Sequence, residues 1–174
     1  NIKIILIGSY GVGKTSIIKS FDKKNFNESE PSTASCNFLT KNIKINNKNY
    51  LCDIWDTAGQ EKFYSLNKLF IKDSNIIILV YDISQKKTFV DLKYWIDFIH
   101  EYLDLGNITL GLVANKADLY EKEEVTKQEG ELLSLKLDAY FSLLSPKVDG
   151  PGVESYFEKI ILIYLKKKII LKQH

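Results

Sequence analysis

The chain contains no arginine. All 24 of its basic residues are lysine, set against 22 acidic residues, for a net charge of +2. It therefore has no guanidinium with which to make a planar, bidentate bond to a carboxylate or a phosphate. The wealth of Lys, Asn and Ile fits a biased base composition at the gene level, but the chemical consequence is the same. A charge so close to balance also argues against nucleic acid as a partner. Cysteine is scarce: Cys36 and Cys52 lack the spacing of a metal site, and each lies in an apolar, strand-like run, as expected of plain thiols in a reduced cytosolic protein. No apolar run approaches the roughly 20 residues of a membrane span. The first residues read as a core strand, so no signal peptide is expected. What remains is 174 residues, 45% hydrophobic and 26% charged, enough for one compact domain over 1–174 with a proper core.

The most informative stretch runs from Ile2 to Thr15, I-K-I-I-L-I-G-S-Y-G-V-G-K-T. Ile2–Ile7 is nearly all apolar and β-branched, which predicts a buried parallel strand. It leads into Gly8-x-x-x-x-Gly13-Lys14-Thr15, the pattern of a phosphate-binding loop. Glycines at this spacing let backbone N–H groups turn toward phosphate oxygens, the lysine reaches the β- and γ-phosphates, and the hydroxyl can hold Mg2+. The residues that follow, Ser16 to Phe21, read as a helix whose N-terminal dipole favours the same anion.

Further along, apolar runs alternate with amphipathic segments. The pattern predicts a helix over 14–24, a polar loop over 25–35, and strands over 36–45 and 50–55 joined by Asn46-Asn47-Lys48-Asn49 as an antiparallel hairpin. A short helix-prone segment covers 61–72, and a buried strand covers 74–83. Phe89, Leu92, Ile96, Ile99 and Leu103 mark one buried helix face. A strand over 108–114, a helix over 121–137, a short strand over 139–144 and a last helix with Val153, Tyr156, Phe157, Ile160, Ile161 and Tyr164 inward complete the chain. Strand and helix in alternation predict a mostly parallel sheet with helices on both faces. In such sheets ligands sit at the carboxyl ends of the strands. There the chain places the phosphate loop, Asp56-Thr57-Ala58-Gly59-Gln60, Asn115-Lys116-Ala117-Asp118 and Ser145-Pro146-Lys147.

With these motifs the sequence resembles the Ras-like small GTPases and, within them, the Rab branch. The resemblance covers essentially the whole chain. The Rab marks are Trp55 before the Asp56 motif, Phe38, Val80-Tyr81-Asp82-Ile83, Thr88-Phe89, Trp95, and Glu124-Val125-Thr126 with Glu129-Gly130; Phe38-Leu39-Thr40-Lys41 and Lys72-Asp73-Ser74-Asn75 look like early-endosomal Rabs. The resemblance implies a P-loop NTPase three-layer α/β sandwich, with a mostly parallel six-stranded sheet and one antiparallel edge strand. It implies GTP/GDP and Mg2+ as ligands. Lys14 and the amides of Gly11, Val12 and Gly13, with Tyr10 and Ser16 beside them, would bind phosphate. Thr15 and Thr33 would supply oxygen to Mg2+, and Asp56 would anchor the ion through water. Gly59 would contact the γ-phosphate and Gln60 would orient the attacking water, so that Gln60, Lys14 and Gly59 form the catalytic set. Asp118 would select guanine, Asn115 and Lys116 would tie the base loop to the phosphate loop, Phe26 would pack on the base, and Ser145, Pro146 and Lys147 would complete its loop. Phe38, Trp55 and Phe70 would present a surface to effectors.

A GTPase of this kind is a switch whose loops, over 27–35 and 57–70, are held while a γ-phosphate is bound. Its partners would be effectors, an exchange factor and an activating protein; lacking arginine, the chain needs that protein to supply one in trans. A monomer is expected, cycling between cytosol and endosomal or other vesicle membranes through a lipidated C-terminal tail that this chain does not include. The run Lys166-Lys167-Lys168 fits a solvated helix end. Several positions depart from the family pattern. Tyr10 stands where a small residue is usual, Ala34 and Ser35 where Ile and Gly are usual, Ser29 where an aromatic is common, and Pro146 where an alanine N–H is expected to meet the guanine carbonyl. Tyr10, Ala34 and Pro146 raise the alternative of a hydrolysis-poor, nucleotide-bound scaffold. A nucleoside kinase is disfavoured by Gln60 and by Asn115-Lys116-Ala117-Asp118.

Overall fold

The structure, a computed structural model, describes residues 1–22, 37–57, 68–69 and 71–173. Strands β1 (Ile2–Ile7), β2 (Asn37–Ile45), β3 (Lys48–Asp56), β4 (Ile76–Asp82), β5 (Thr109–Asn115) and β6 (Tyr140–Leu144) form one sheet in the order β2-β3-β1-β4-β5-β6. Every neighbouring pair is parallel except β2 with β3. The six-stranded, mostly parallel sheet with one antiparallel edge strand is therefore as expected. In the hairpin, Ile45 faces Lys48, so the turn is only Asn46-Asn47, with φ of 48° and 62°. Two consecutive left-handed residues twist with the strands, and asparagine tolerates that conformation. The turn is thus shorter than the four residues expected, because pairing resumes at Lys48.

Alternation along the strands sorts the core into two layers. Ile4 and Leu6 of β1, with Ile76, Ile78 and Val80 of β4, face α1 (Lys14–Phe21) and the last helix, α5 (Gly150–Leu171). Ile5 and Ile7, with Ile77, Leu79 and Tyr81, face α3 (Leu92–Tyr102) and lie in the same cluster as Leu133 and Leu137 of α4 (Lys127–Leu137). Burying each such side chain contributes about 1.5–3 kcal/mol. A strand apolar at every position is the signature of a sheet covered on both faces. On the α5 face, a Cβ at Gly111 of β5 would overlap the Tyr156 hydroxyl and Ile160. The glycine lets α5 lie close to the strand.

Two helices differ from expectation. The segment with Phe89 to Leu103 on one face is broken at Asp91 into α2 (Lys86–Val90) and α3, and Trp95 joins Leu92 and Ile99 as the buried set while Phe89, Ile96 and Leu103 are half-buried. The helix expected over 121–137 starts only at Lys127. Thr126 caps it, accepting from the Glu129 N–H while the Glu129 carboxylate accepts from the Thr126 N–H. This reciprocal pairing ends the helix on its N-terminal side, and Ala117–Lys122 forms a separate 3-10 segment. Among the described residues, no helix is long and apolar enough to cross a membrane.

Candidate functional site

The loop between β1 and α1 takes its shape from glycine. Gly11 and Gly13 adopt φ of 77° and 98°, in the left-handed region. At Gly13 a Cβ would also run into the Asn115 side chain, so this position is restricted twice. Lys14 opens α1 and is buried, with its ammonium donating to the carbonyl oxygens of Gly8 at 2.9 Å and Ser9 at 3.1 Å. Burial pushes that ammonium down to about 8, against the opposing pull of the Asp56 carboxylate. A buried cation looped back on its own backbone is a ready counter-charge for an anion entering the loop.

Asp56 ends β3, in register with Leu6 of β1, and is 1% exposed. Its Oδ2 accepts a hydrogen bond from the Thr15 hydroxyl. Next to it, the Thr57 hydroxyl donates to the Leu6 carbonyl at 2.9 Å, pinning the start of the following segment to β1. A hydroxyl and a carboxylate at the foot of the phosphate loop are hard oxygen donors, the kind that suits Mg2+.

The other half of the site is assembled at the ends of β4, β5 and β6. Asn115, also 1% exposed, donates from Nδ2 to the Val12 carbonyl at 2.8 Å, joining two loops 103 residues apart. Lys116 has φ of 61°, and its ammonium lies 2.7 Å from the buried Asp82 carboxylate. The other Asp82 oxygen accepts from the Ser84 N–H at 2.8 Å and from its hydroxyl at 2.7 Å. Asp118 accepts from the Ser145 hydroxyl at 2.7 Å. Pro146 is buried, and the Ser145 carbonyl accepts from the N–H groups of Val148 (3.1 Å) and Asp149 (2.8 Å), closing the turn around it. Thus Asn115, Lys116, Asp118 and Ser145 all make contacts at this one sheet edge. The sequence pattern does not single out Asp82, which stands at the carboxyl end of a wholly buried strand, on the same sheet edge as the others.

A family model described as the Ras family matches residues 3–166. The human Ras-related protein Rab-12 is 37% identical over 166 residues, covering 95% of this chain and 68% of that protein. The chain belongs to the Ras family, in its Rab branch. Human Ras-related protein Rab-30 is 38% identical over 89% of this chain and 75% of its own length, and Ras-related protein RABA5a of Arabidopsis thaliana is 34% identical over 98% and 78%. The protein is accordingly a small GTPase that binds guanine nucleotide and hydrolyses GTP.

The remaining Rab positions fall in two groups. Phe38 is 53% exposed, and its ring meets the half-buried Trp55 edge-on at 4.6 Å, with the Lys3 ammonium 5.7 Å from the Trp55 centroid. Trp55 packs against the core with one part of its surface and holds an exposed phenylalanine with another. Tyr10 is likewise 53% exposed, and Ser16 is half-buried on α1. Phe26, Thr33, Gly59, Gln60 and Phe70 lie outside the described residues, as do Ser29, Ala34, Ser35 and Cys36. Cys52 is buried, and its thiol is pushed up to about 11 by burial and then by Asp53, which makes it inert.

Proposed function

We propose that this Rab protein is a Mg2+-dependent GTP/GDP switch that hydrolyses GTP slowly and recruits effectors in vesicle and endosomal membrane traffic. The observation that carries the reading is the Asn115–Val12 hydrogen bond, which locks the base loop against the phosphate loop at one edge of the sheet. In this reading the amides of Gly11, Val12 and Gly13 and the Lys14 ammonium hold the phosphates. A polyanion beside Lys14 strengthens the preference for its charged form that burial weakens. Thr15, Thr33 and, through water, Asp56 would hold Mg2+, which when bound neutralises phosphate charge. Asp118, oriented by Ser145, takes both donors of the guanine edge. Asn115 and Lys116 frame the base, Phe26 packs on it, and Ser145, Pro146 and Lys147 close the loop.

Hydrolysis needs a water aimed at the γ-phosphorus. Gln60 orients that water, the bond from the γ-phosphorus to the bridging oxygen breaks, and GDP is the leaving group. Charge building on the transferred group is met by Lys14 and the Gly59 amide. With no arginine in the chain, the additional cation that accelerates this step comes from an activating protein. Loss of the γ-phosphate releases Thr33 and Gly59, and with them the effector surface built on Phe38, Trp55 and Phe70. An exchange factor reloads GTP. Membrane attachment is through a lipidated tail beyond this chain, and the protein works as a monomer.

Tyr10 sets the pace. The Tyr10 phenol, next to Gly11, is 53% exposed, and in this reading it would take up space that Gln60 and an incoming arginine need. Single-turnover hydrolysis of bound GTP tests this. Tyr10→Ser is expected to speed turnover roughly tenfold, the scale of one better-placed polar contact in a transition state. A variant no faster than wild type, with or without an activating protein, would overturn the assignment of Tyr10.

A further inference from the structure

Asp91 lies at the break between α2 and α3, and its side chain makes no capping hydrogen bond to α3. Its carboxylate is turned to other partners. The Lys87 ammonium donates to both of its oxygens, at 3.0 and 2.7 Å. The Ser9 hydroxyl donates to Oδ2 at 3.1 Å, across 82 residues of sequence. Ser9 belongs to the phosphate loop. Its carbonyl oxygen accepts from the Lys14 ammonium at 3.1 Å and from the Val12 N–H at 3.5 Å, and Tyr10 follows it directly.

We infer that Asp91 is a positioning residue for the phosphate loop: by holding the Ser9 hydroxyl it fixes the limb of the loop that anchors Lys14 and carries Tyr10. The inference rests on the phosphate-loop reading given above. An uncompensated carboxylate at this place would repel the anion that the loop binds. Lys87 answers that repulsion. It is well exposed while Asp91 is not, and an exposed i,i+4 ion pair adds little stability in itself. The role of the pair is to neutralise Asp91 without removing its capacity to accept from Ser9.

The experiment compares GDP release from the loaded protein, followed with a fluorescent GDP, and guanosine binding, followed by calorimetry. The proteins are wild type, Ser9→Ala, Asp91→Ala, Asp91→Asn, the Ser9→Ala/Asp91→Ala double variant and Lys14→Ala. Ser9→Ala and Asp91→Ala are each expected to release GDP about tenfold faster or more, as for loss of one charge-assisted hydrogen bond. The double variant should be no faster than either single, because both remove the same bond. Asp91→Asn keeps an acceptor oxygen and should stay near wild type. Guanosine, which has no phosphate, should bind all of these equally. Additive effects, or an equal loss for guanosine and GDP, would overturn the inference. Should Asp91→Ala not fold, Ser9→Ala decides alone: unchanged GDP release overturns the proposal. Lys14→Ala separates the two levels, since GDP binding at wild-type strength in that variant would remove the phosphate-loop reading itself.

Discussion

At the phosphate end of the proposed nucleotide site, Gly8 to Thr15 form a contiguous run whose shape is a property of its backbone: two glycines with φ of 77° and 98°, and a lysine that bonds two carbonyl oxygens of the same loop. At the base end, Asp82, Asn115, Lys116, Asp118 and Ser145 come from the ends of three strands and are held by side-chain bonds between distant segments. A loop of the first kind takes most of its shape from the right residues in the right order, with the Ser9–Asp91 bond as a tie from outside it. The second kind needs the whole sheet. The two ends should therefore respond differently to substitution: the first through backbone strain, the second through lost partners.

Gly13 is where the two ends meet, and Gly13→Ala should have the largest effect. The new Cβ must adopt an unfavourable φ and also displace Asn115 from Val12. Two such penalties together cost roughly 3 kcal/mol or more, so GDP affinity measured by competition should fall by about 100-fold. A tenfold loss or less would mean that the base loop yields independently, and the comparison would soften.

Asp82→Asn tests the base end alone. It leaves the Lys116 ammonium facing a neutral amide, in a place where the carboxylate is 1% exposed. Because Lys116 keeps partial access to water, GDP release should rise by only about tenfold, less than breaking a fully buried pair would give. The fluorescence assay for GDP release checks this, and the phosphate end should be untouched, so that Tyr10→Ser has the same effect on hydrolysis in this background.

A smaller change of opposite sign is expected at Pro146, which has no N–H to offer a ligand. Pro146→Ala restores a donor worth on the order of 1 kcal/mol and should slow GDP release about fivefold. Unchanged release would mean that the turn closed by the Ser145 carbonyl already supplies another donor.

The smallest expected effect is on stability. Lys86 links the segment after β4 to α4, binding Glu129 through its ammonium and Glu124 through its N–H. The Glu129 carboxyl is held below its usual value of 4.5, first by the Lys86 hydrogen bond and then by the Thr126 N–H. A depressed folded-state value means that its contribution is complete above about 4.5 and lost as pH falls through the lower folded value. Glu129→Gln should flatten the fall of the melting temperature between neutral pH and mild acid. The group is partly open to solvent, so the difference will be small and will shrink with added salt. An identical acid profile in the two proteins would remove the Lys86–Glu129 brace from the account.

The two regions also differ in how far they could be read in advance. The strand, loop and helix around Lys14 follow from local rules, because a buried β-branched run, positive-φ glycines and a helix start all act over a few neighbouring residues. The Asn115–Asp118 and Ser145–Lys147 motifs were recognisable from the order of buried strands, since parallel strands send their carboxyl ends to one edge. The ties that Asp82 and Asp91 make to Lys116 and Ser9 do not follow from the local pattern. One looks like the last residue of an apolar strand and the other like a polar position within an amphipathic helix. The late start of α4 was missed for a related reason, since the residues from Glu121 to Thr126 suit a helix and only the Thr126–Glu129 box ends it.

Sequence alone thus determined the family, the alternation of strands and helices, and where the phosphate-loop and Asn-Lys-x-Asp motifs fall along the chain, because those properties depend on residue type at short spacing. Only the tertiary structure decided that Asn115 holds Val12, that Asp82 neutralises Lys116, and that Asp91 reaches Ser9. These are bonds between groups far apart along the chain. A polar side chain acquires such a partner only when packing of the core brings two strand ends, or a loop and a helix break, to within about 3 Å of each other.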